Sequence, residues 1–564
     1  MLPSTGSLGI DIANTPFGGN PQLPWALSEE RYQIVDNFTF TSGTHSIKLG
    51  IDFSTNEDWN RQIIGSAGYY SFPTLTAFAD DFSGNSKGTK DYSTFTQTFG
   101  LPIVDLHTKN LGVYAQDTWS PTRRLTLVMG VLWEQPFIPQ PKDTNITYFQ
   151  TGSVSVPHID FSPRVGIGYR VNDRTVVRVG MGTYYQPFSG QLLEALYTGN
   201  AIYQLPITAV PTETKAPIFP KIIGAPGSIP AGSADVTYGV GKFRLPFSAQ
   251  GALSVERQLS SSMTVSLNYM YNRGIGLLTA VDQNLNYPTL AAKTYTIDNA
   301  AGAAVSSYPT LMFNTLTNGG FAHVYQIQNE GYSVYNGLAL RFTKRMWHGL
   351  TAQASYTWSH AVDDMSGPAV LAGFIPANSF PNAVRNDEGN SSFNQPNRVV
   401  TNWTWQPTFG NRGDSLIGRY LINGWQLSGI ATLASGLGET PIALVSGQQF
   451  SGVTMSYTTS LNGSGGWARA PFLPINSLST GPEYNVDMRL SRALPFTERI
   501  KGVLMFEAFN AFNMQYNTSV NTIAYLATSG VLHPVPGVGV GNGADGFPWG
   551  DNARHIQIAL KITF

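Results

Sequence analysis

Arg554-His-Ile-Gln-Ile-Ala-Leu-Lys-Ile-Thr-Phe564 ends the chain and alternates without a break. Arg554, Ile556, Ile558, Leu560, Ile562 and Phe564 fall on one face of an extended strand, and His555, Gln557, Ala559, Lys561 and Thr563 fall on the other, because successive side chains of a strand point to opposite sides. One face suits hydrocarbon and the other suits water. Working back along the chain, the same period of two recurs in Ile47/Leu49/Ile51/Phe53 against Lys48/Gly50/Asp52, in Leu350/Ala352/Ala354/Tyr356/Trp358 against Thr351/Gln353/Ser355/Thr357/Ser359, and in Tyr484/Val486/Met488/Leu490 against Asn485/Asp487/Arg489/Ser491. In Met263/Val265/Leu267/Tyr269/Tyr271 the pattern is broken only by Met270, an apolar residue on the polar face.

Composition agrees with strands that touch lipid on one side. Only 12% of the 564 residues are charged while 12% are aromatic, against about 25% charge in an ordinary globular domain. No apolar run reaches the roughly 18 residues of a helical span, and mean hydropathy is near neutral at -0.09. A membrane barrel reconciles these facts, since its strands are apolar outside and polar in the lumen. The 34 basic and 35 acidic residues nearly cancel, and no basic cluster with interleaved aromatics follows a phosphate backbone, so nucleic acid is not an expected partner. With no cysteine, disulfides, thiolate metal sites and cysteine nucleophiles fall away together. Met1-Leu-Pro-Ser-Thr-Gly-Ser7 has neither a basic leader nor an apolar segment, so these residues hold no secretory signal.

Alternating segments of roughly ten residues, the length a tilted strand needs to cross a bilayer, number about fifteen: 31–41, 45–55, 109–119, 124–134, 162–171, 174–184, 246–257, 262–272, 333–344, 350–360, 398–407, 423–434, 483–493, 499–509 and 554–564. The predicted fold is all-β: a transmembrane antiparallel β-barrel over 31–564, with a loop-like segment at 1–30. Short connections such as Ser42-Gly43-Thr44, Ser120-Pro121-Thr122, Val171-Asn172-Asp173, Leu259-Ser260-Ser261 and Met346-Trp347-His348-Gly349 alternate with long ones rich in Gly, Pro, Ser and Asn. Only the link after Gln406 is longer than its place predicts. Barrels keep short turns in the periplasm and long loops outside, so the last strand runs inward. The first, Arg31 to Thr41, does so too, and fifteen antiparallel strands then leave a seam between two parallel neighbours. Bacterial barrels have even strand numbers, so strands are expected to be missing ahead of residue 31.

Apolar faces end in Trp119, Trp133, Tyr185, Tyr271, Trp358, Trp403 and Trp405, as aromatic girdles at the two membrane interfaces require. A soluble sandwich or propeller, the main alternative for many alternating strands, would scatter those rings along the strands. Lumen-side charges are Lys48, Asp52, Arg178, Glu256, Arg341, Asp487, Arg489, Glu507 and Lys561. They read first as polar groups paired across a wet lumen and second as a ligand path.

Sites for chemistry are weak. Gly84-Asn-Ser-Lys-Gly88 has nucleophile-elbow spacing but lies in a long loop without the strand and helix an elbow needs. Gly537-Val-Gly-Val-Gly-Asn-Gly543 is not followed by a helical pattern, so loop glycine is the better reading than a phosphate cradle. No two of the eight histidines have helical metal spacing, and His107, His158, His323 and His533 fall in or near loops. Asp363, Asp364, Asp387 and Glu388 share one long loop and have oxygens suited to calcium; a solvated acidic face is the preferred reading.

Several stretches carry a family resemblance: Asn110-Leu-Gly-Val-Tyr-Ala-Gln-Asp-Thr-Trp119, Phe161-Ser-Pro-Arg-Val-Gly-Ile-Gly-Tyr169 with Arg178-Val-Gly-Met-Gly-Thr-Tyr-Tyr185, and Ser355-Tyr-Thr-Trp-Ser-His-Ala-Val-Asp-Asp364. Asn386-Asp-Glu-Gly-Asn390 with Phe393, Asn397-Arg398 and Glu507-Ala-Phe-Asn-Ala-Phe-Asn513 extend it. With these the chain resembles the barrel of the Oar-like TonB-dependent transporters of the bacterial outer membrane. Complete members look like 22-stranded barrels with a plugged lumen, so the resemblance implies an incomplete barrel here, without plug, TonB-contacting segment or N-terminal sandwich domain. It also implies an assembly signal at Gln557, Ala559, Ile562 and Phe564 for the barrel-assembly machinery, with Ala559 where Gly is commonest. Outer-membrane lipid is the expected surrounding. Transport of a bulky nutrient or peptide-like cargo, driven by the energy-transducing TonB complex where the missing N-terminal parts are present, is the implied function. No enzyme activity, cofactor or metal is implied. A surface adhesion or interaction protein acting through its long loops, and a passive pore or non-functional fragment, are the alternatives.

Overall fold

The computed structural model describes residues 7–564 apart from 13–14, 21–22, 24, 62, 64, 84–87, 102, 157–159, 188, 212–215, 225–233, 242–243, 314, 366–368, 372–374, 377–383, 409–421, 446–448, 451–452, 455–459, 465–467, 496–498 and 544–552. The elbow-like stretch beginning at Gly84, His158 and most of the link after Gln406 lie outside the described residues.

One large antiparallel sheet curls round as a barrel. Its strands are β1 Ala26–Ser42, β2 His45–Arg61, β3 Ile103–Thr122, β4 Leu125–Phe137, β5 Asp160–Asn172, β6 Thr175–Tyr185, β7 Phe247–Ser260 and β8 Met263–Asp282, then β9 His323–Trp347, β10 Leu350–Asp363, β11 Asn397–Trp405, β12 Trp425–Ala434, β13 Glu483–Pro495, β14 Lys501–Phe509 and β15 His555–Thr563. Each pairs with its neighbours in this order. All fifteen alternating segments of the sequence therefore lie in one ladder.

Facing residues of an antiparallel pair share a side of the sheet, so the registers carry the two faces round the wall. Ile556, Ile558, Leu560 and Ile562 sit opposite Ala508, Phe506, Leu504 and Gly502 on the outer face, while Gln557, Ala559 and Lys561 sit opposite Glu507, Met505 and Val503 on the lumen face. Five of the turns are two-residue hairpins, such as Gly43-Thr44 and His348-Gly349. In the latter both residues have positive φ, 46° and 77°, the geometry that matches a hairpin to the strands' twist. All these turns lie at one end of the barrel, which also carries the longer link between β11 and β12, and the other long links lie at the opposite end.

Several strands run well past the spans read from the sequence. β2, β8 and β9 extend beyond the predicted segments, to Arg61, to Asp282 and back to His323. There alternation is lost, as in Thr279, Ala280, Val281 and Asp282, all buried. Alternation reports lipid on one side and water on the other, and above the membrane that contrast ends.

The packed core sits in the long-link end, not in the barrel. Two five-stranded sheets form there. One joins Gln204–Ala209, Thr94–Gly100, Tyr69–Phe72, Gly9–Ile12 and Thr15–Gly18; the other joins Ala304–Met312, Ala291–Asp298, Val531–Pro534, Ile523–Thr528 and Ile442–Val445. Residues 1–30 are thus not a simple loop, which corrects the expectation: two short strands there complete a sheet, and Ala26 already begins β1. Ile10, buried against Tyr70, Phe72, Phe95 and Phe219, is the reason. In that cluster ring centroids lie 4.6 Å apart for Tyr70–Phe95 and 5.5 Å for Phe72–Phe219, contacts worth about 0.5–1.5 kcal/mol each beyond area burial.

The ladder has two ends. Among the described residues no pairing joins β1 to β15, and both are exposed along nearly their whole length. Ile34 and Ile556 are each 71% exposed, whereas Leu340, in mid-wall, is 47% exposed.

Candidate functional site

On the outer face the aromatic rings fall near the two ends of the wall. Trp119 lies opposite Leu127 and His45 at the turn end, where its ring stacks on His45 at 5.3 Å. Trp403 and Trp405 lie opposite Ala352 and Leu350 at the same end. Trp133, Tyr271 and Trp358 sit eight residues beyond Leu125, Met263 and Leu350, where their strands begin, and Tyr185 packs on Phe247 at 5.2 Å on the same long-link side. Eight residues span about 26 Å of strand, or about 20 Å of height once tilted, of the order of the apolar band of a membrane barrel. The seven rings thus occupy two levels.

On the lumen face Arg489 donates through Nε to Glu507 Oε1 at 2.6 Å, across β13 and β14. Arg178 Nη1 stands 3.7 Å from Glu256. Asp487 accepts from the Asn510 backbone N–H at 2.8 Å, and Asp52 accepts from Gln33 at 2.9 Å. Arg341 faces Ser266 and Ser355. Most of these side chains bridge adjacent strands of the wall. They do not converge on one point.

The mouth at the long-link end is partly filled. A helix, α2 (Gly190–Thr198, with α1 at Leu75–Phe82), packs Leu193 against Val104 and Leu106 on the lumen side of β3. Its Leu192 and Leu196 pack against Ala280 and Ile327 of β8 and β9. Nine residues without a side-chain N-cap bond do not hold a helix in water, so this packing holds it. Glu194 accepts from Asn60 Nδ2 through both oxygens at 3.0 Å, and burial raises its pKa above the usual carboxyl range. Asn60 also accepts from Trp25 Nε1 at 3.2 Å. Sequence reasoning missed this lid because its contacts come from strands far apart in the chain.

Asp363, Asp364 and Asp387 of the four-carboxylate loop are buried, which corrects the expectation of a solvated acidic face, while Glu388 is exposed. Asp364 and Asp387 are 1% and 2% exposed. Asp387 accepts from buried Arg469 Nε at 2.7 Å, and Arg469 Nη2 donates to Asn386 O at 2.6 Å. Asp364 Oδ1 accepts from the Tyr332 N–H at 2.8 Å, whereas its Oδ2 is buried without a partner among the described residues. Desolvation pushes the Asp364 carboxyl up to about 6, helped by Asp363 and Glu388. Among the described residues no group of three or more His, Asp or Glu is placed to hold a metal. His323 is held by Asp282 at 2.8 Å; burial lowers its pKa, but that hydrogen bond and the charges of Asp235 and Asp282 outweigh it and leave it raised. Gly537 and Gly539 have positive φ in a turn, as loop glycines do.

The stretches that carried the resemblance have packing roles. Tyr114 reaches across Gly50 to donate to Asn37. Asn510 and Asn513, both at positive φ, end β14, and Asn513 Oδ1 receives the Arg554 N–H at 3.0 Å ahead of β15.

A curled antiparallel sheet with an apolar outer face, two aromatic levels and all but one of its long links at one end defines an outer-membrane β-barrel. Residues 2–533 match the family described as outer membrane beta barrel domain, and the chain belongs to that family. No curated protein matches it. Among solved structures it is similar to the outer membrane transporter YddB from Escherichia coli, with 10% identity, 99% of this chain and 57% of that chain covered, and a TM-score of 0.52. It is also similar to the siderophore receptor PirA from Acinetobacter baumannii (13% identity, 96% and 55% covered, TM-score 0.47) and to the FrpB iron transporter from Neisseria meningitidis (10%, 93% and 54%, 0.47). The chain spans a little over half the length of these proteins. The protein is therefore a β-barrel of the bacterial outer membrane, and its fold is similar to that of the outer membrane transporter YddB.

Proposed function

We infer that this barrel is the wall of a TonB-dependent transporter that takes a bulky nutrient or peptide-like cargo through the outer membrane, rather than an enzyme. One observation carries the reading: the long links build a packed cap whose helix α2 sits inside the mouth, above a polar lumen wall. A rigid entrance over a wet conduit suits capture and passage. On this reading Arg178, Arg341, Asp487, Arg489 and Glu507 line the route, and the seven girdle rings hold the wall in lipid. Gln557, Ala559, Ile562 and Phe564 serve the barrel-assembly machinery. The unpaired edges of β1 and β15 run in the same direction, so an antiparallel ring needs an odd number of further strands between them. A 22-stranded ring, with seven more, meets that condition.

The test is depletion of compounds from an isotopically labelled complex medium. Cells carrying the gene should deplete at least one compound that cells lacking the gene, or lacking the TonB complex, leave behind. Equal depletion in all three would sink transport. Loss of cell binding to surfaces on deleting residues 291–312, with no depleted compound, would favour adhesion.

A further inference from the structure

The lid α2 is fastened to the barrel by a short strand, and the joint of that strand holds a titratable group that the transport reading leaves unused. Asp235–Gly239, from the long link between β6 and β7, pairs in parallel with His323–Ile327 at the start of β9. It is tied to the lid as well. The Thr237 N–H donates to the carbonyl of Gly199, the residue after α2, at 2.6 Å, and Val240 packs against the cluster that holds Leu192 and Leu196. A Cβ at Gly199 would fall 2.7 Å from Thr237 Cβ, so the end of the helix rests directly on this strand. Asp235–Gly239 is in effect a strap between lid and barrel.

His323 sits where the strap, β8 and β9 meet. Its Nδ1 stands 2.8 Å from Asp282 Oδ2 of β8, and its backbone N–H donates to Asp235 Oδ1 of the strap at 3.2 Å. The ring stacks on Tyr325 at 5.3 Å, and Tyr325 packs in the same cluster as the lid leucines. Two carboxylates therefore face the imidazole, one from the barrel and one from the strap. Tyr325 on its own strand and Tyr287 on the link after β8 are kept neutral by burial, with the charge of Asp282 adding to the effect.

The charge on the ring decides what this joint can hold. With an imidazolium present, both carboxylates share one cation. With a neutral ring they are left to repel each other across a largely buried joint, where like charges act more strongly than in water. Asp282 cannot retreat, because it is buried and its Oδ1 accepts from the Val324 and Asn284 N–H groups, both at 2.9 Å. Asp235 lies on a five-residue strand and can, taking the strap with it. The His323 side chain is 39% exposed, so protons reach it without unfolding.

We propose that His323 is a proton-operated catch for the lid: its charged form holds the strap on β9 and keeps α2 seated, and loss of the proton frees both. The direction follows from the balance at the ring. Burial lowers the pKa of His323, but the hydrogen bond to Asp282 and the charges of Asp235 and Asp282 outweigh it and leave the pKa above the ordinary 6.5. Stability from a raised pKa is full below the unfolded value and is lost as pH rises through the folded one. The lid is thus seated in acid and loosened in alkali, whatever passes beneath it.

The test is hydrogen exchange of the full chain in lipid nanodiscs between pH 6 and 9, with rates corrected for their intrinsic trend and folding checked by heat-modifiable gel migration. Exchange over 190–199 and 235–239 should rise by about three- to tenfold across that range, while the amides of β3 and β4 stay unchanged. His323→Gln should exchange fast already at pH 6 and show no step. Asp235→Asn, which keeps an acceptor for the His323 N–H and removes the charge, should remain protected at pH 9. A histidine resonance missing from His323→Gln should titrate above 6.5, with the midpoint of the exchange step. Asp364 is present in every variant, so a step of its making would survive in His323→Gln. That survival, a flat wild-type profile, a His323 midpoint at or below 6.5, or an unaltered step in Asp235→Asn would each overturn the proposal.

Discussion

At the residue scale, single side chains act here mainly by closing gaps in a thin wall. Gly50 is the clearest case: a Cβ there would fall 2.2 Å from Tyr114 Cε1. Gly50→Val must therefore expel the Tyr114 ring and break its bond to Asn37, and should lower barrel stability by about 1–3 kcal/mol, read as a shift in urea midpoint in micelles; Gly43→Ala, at an open turn, tests instead the cost of positive φ. Asp364 gives a pH prediction. Its folded pKa of about 6 stands above the unfolded 3.8, so the folded form holds the proton more tightly. The stability this confers is full below about pH 4 and is lost as pH rises through about 6, a span of about 1–3 kcal/mol. Exchange of the Tyr332 amide, which donates to Asp364, should therefore quicken from pH 4 to 6 beyond its intrinsic trend, and Asp364→Asn should flatten that excess. Phe564 is 97% exposed beyond the end of β15, so it adds little to the fold; its deletion should cut the amount of heat-modifiable barrel in outer membranes while leaving refolding in detergent unchanged.

Among the elements, strands and lid differ in what stabilises them. The barrel strands have registered partners, and their alternation was legible because lipid and water act on every residue of the span. α2 has its burial and the hydrogen bonds that Asn60 gives Glu194. Leu193 is 1% exposed, and Leu193→Asp puts a carboxylate where three apolar residues meet. The cost, about 2–5 kcal/mol, exceeds what holds a nine-residue helix, so hydrogen exchange over 190–198 should rise to that of open loops while the β3 to β7 amides stay protected. Unchanged protection in 190–198 would show that the lid is held by other contacts.

For the whole molecule, the open question is the seam. The chain has no cysteine, so introduced pairs report cleanly. Met505 and Ala559 face each other across β14 and β15, and cysteines there should join on oxidation. Cysteines at Asn37 of β1 and Ala559 of β15, both on the lumen face, should not. An intramolecular bond between 37 and 559 would mean that the fifteen strands close directly, with two parallel strands at the join.

The sequence by itself determined the transmembrane part of this protein: fifteen spans, which face is wet, which end carries the turns, and where the aromatic rings lie. Each is a local consequence of a period of two between two solvents. Only the tertiary structure decided the cap, because its sheets join short strands from links hundreds of residues apart, and burial on both faces erases alternation. The same holds for Asp364 and Asp387, read from the sequence as a solvated face and buried with Tyr332 and Arg469, which arrive from elsewhere in the chain.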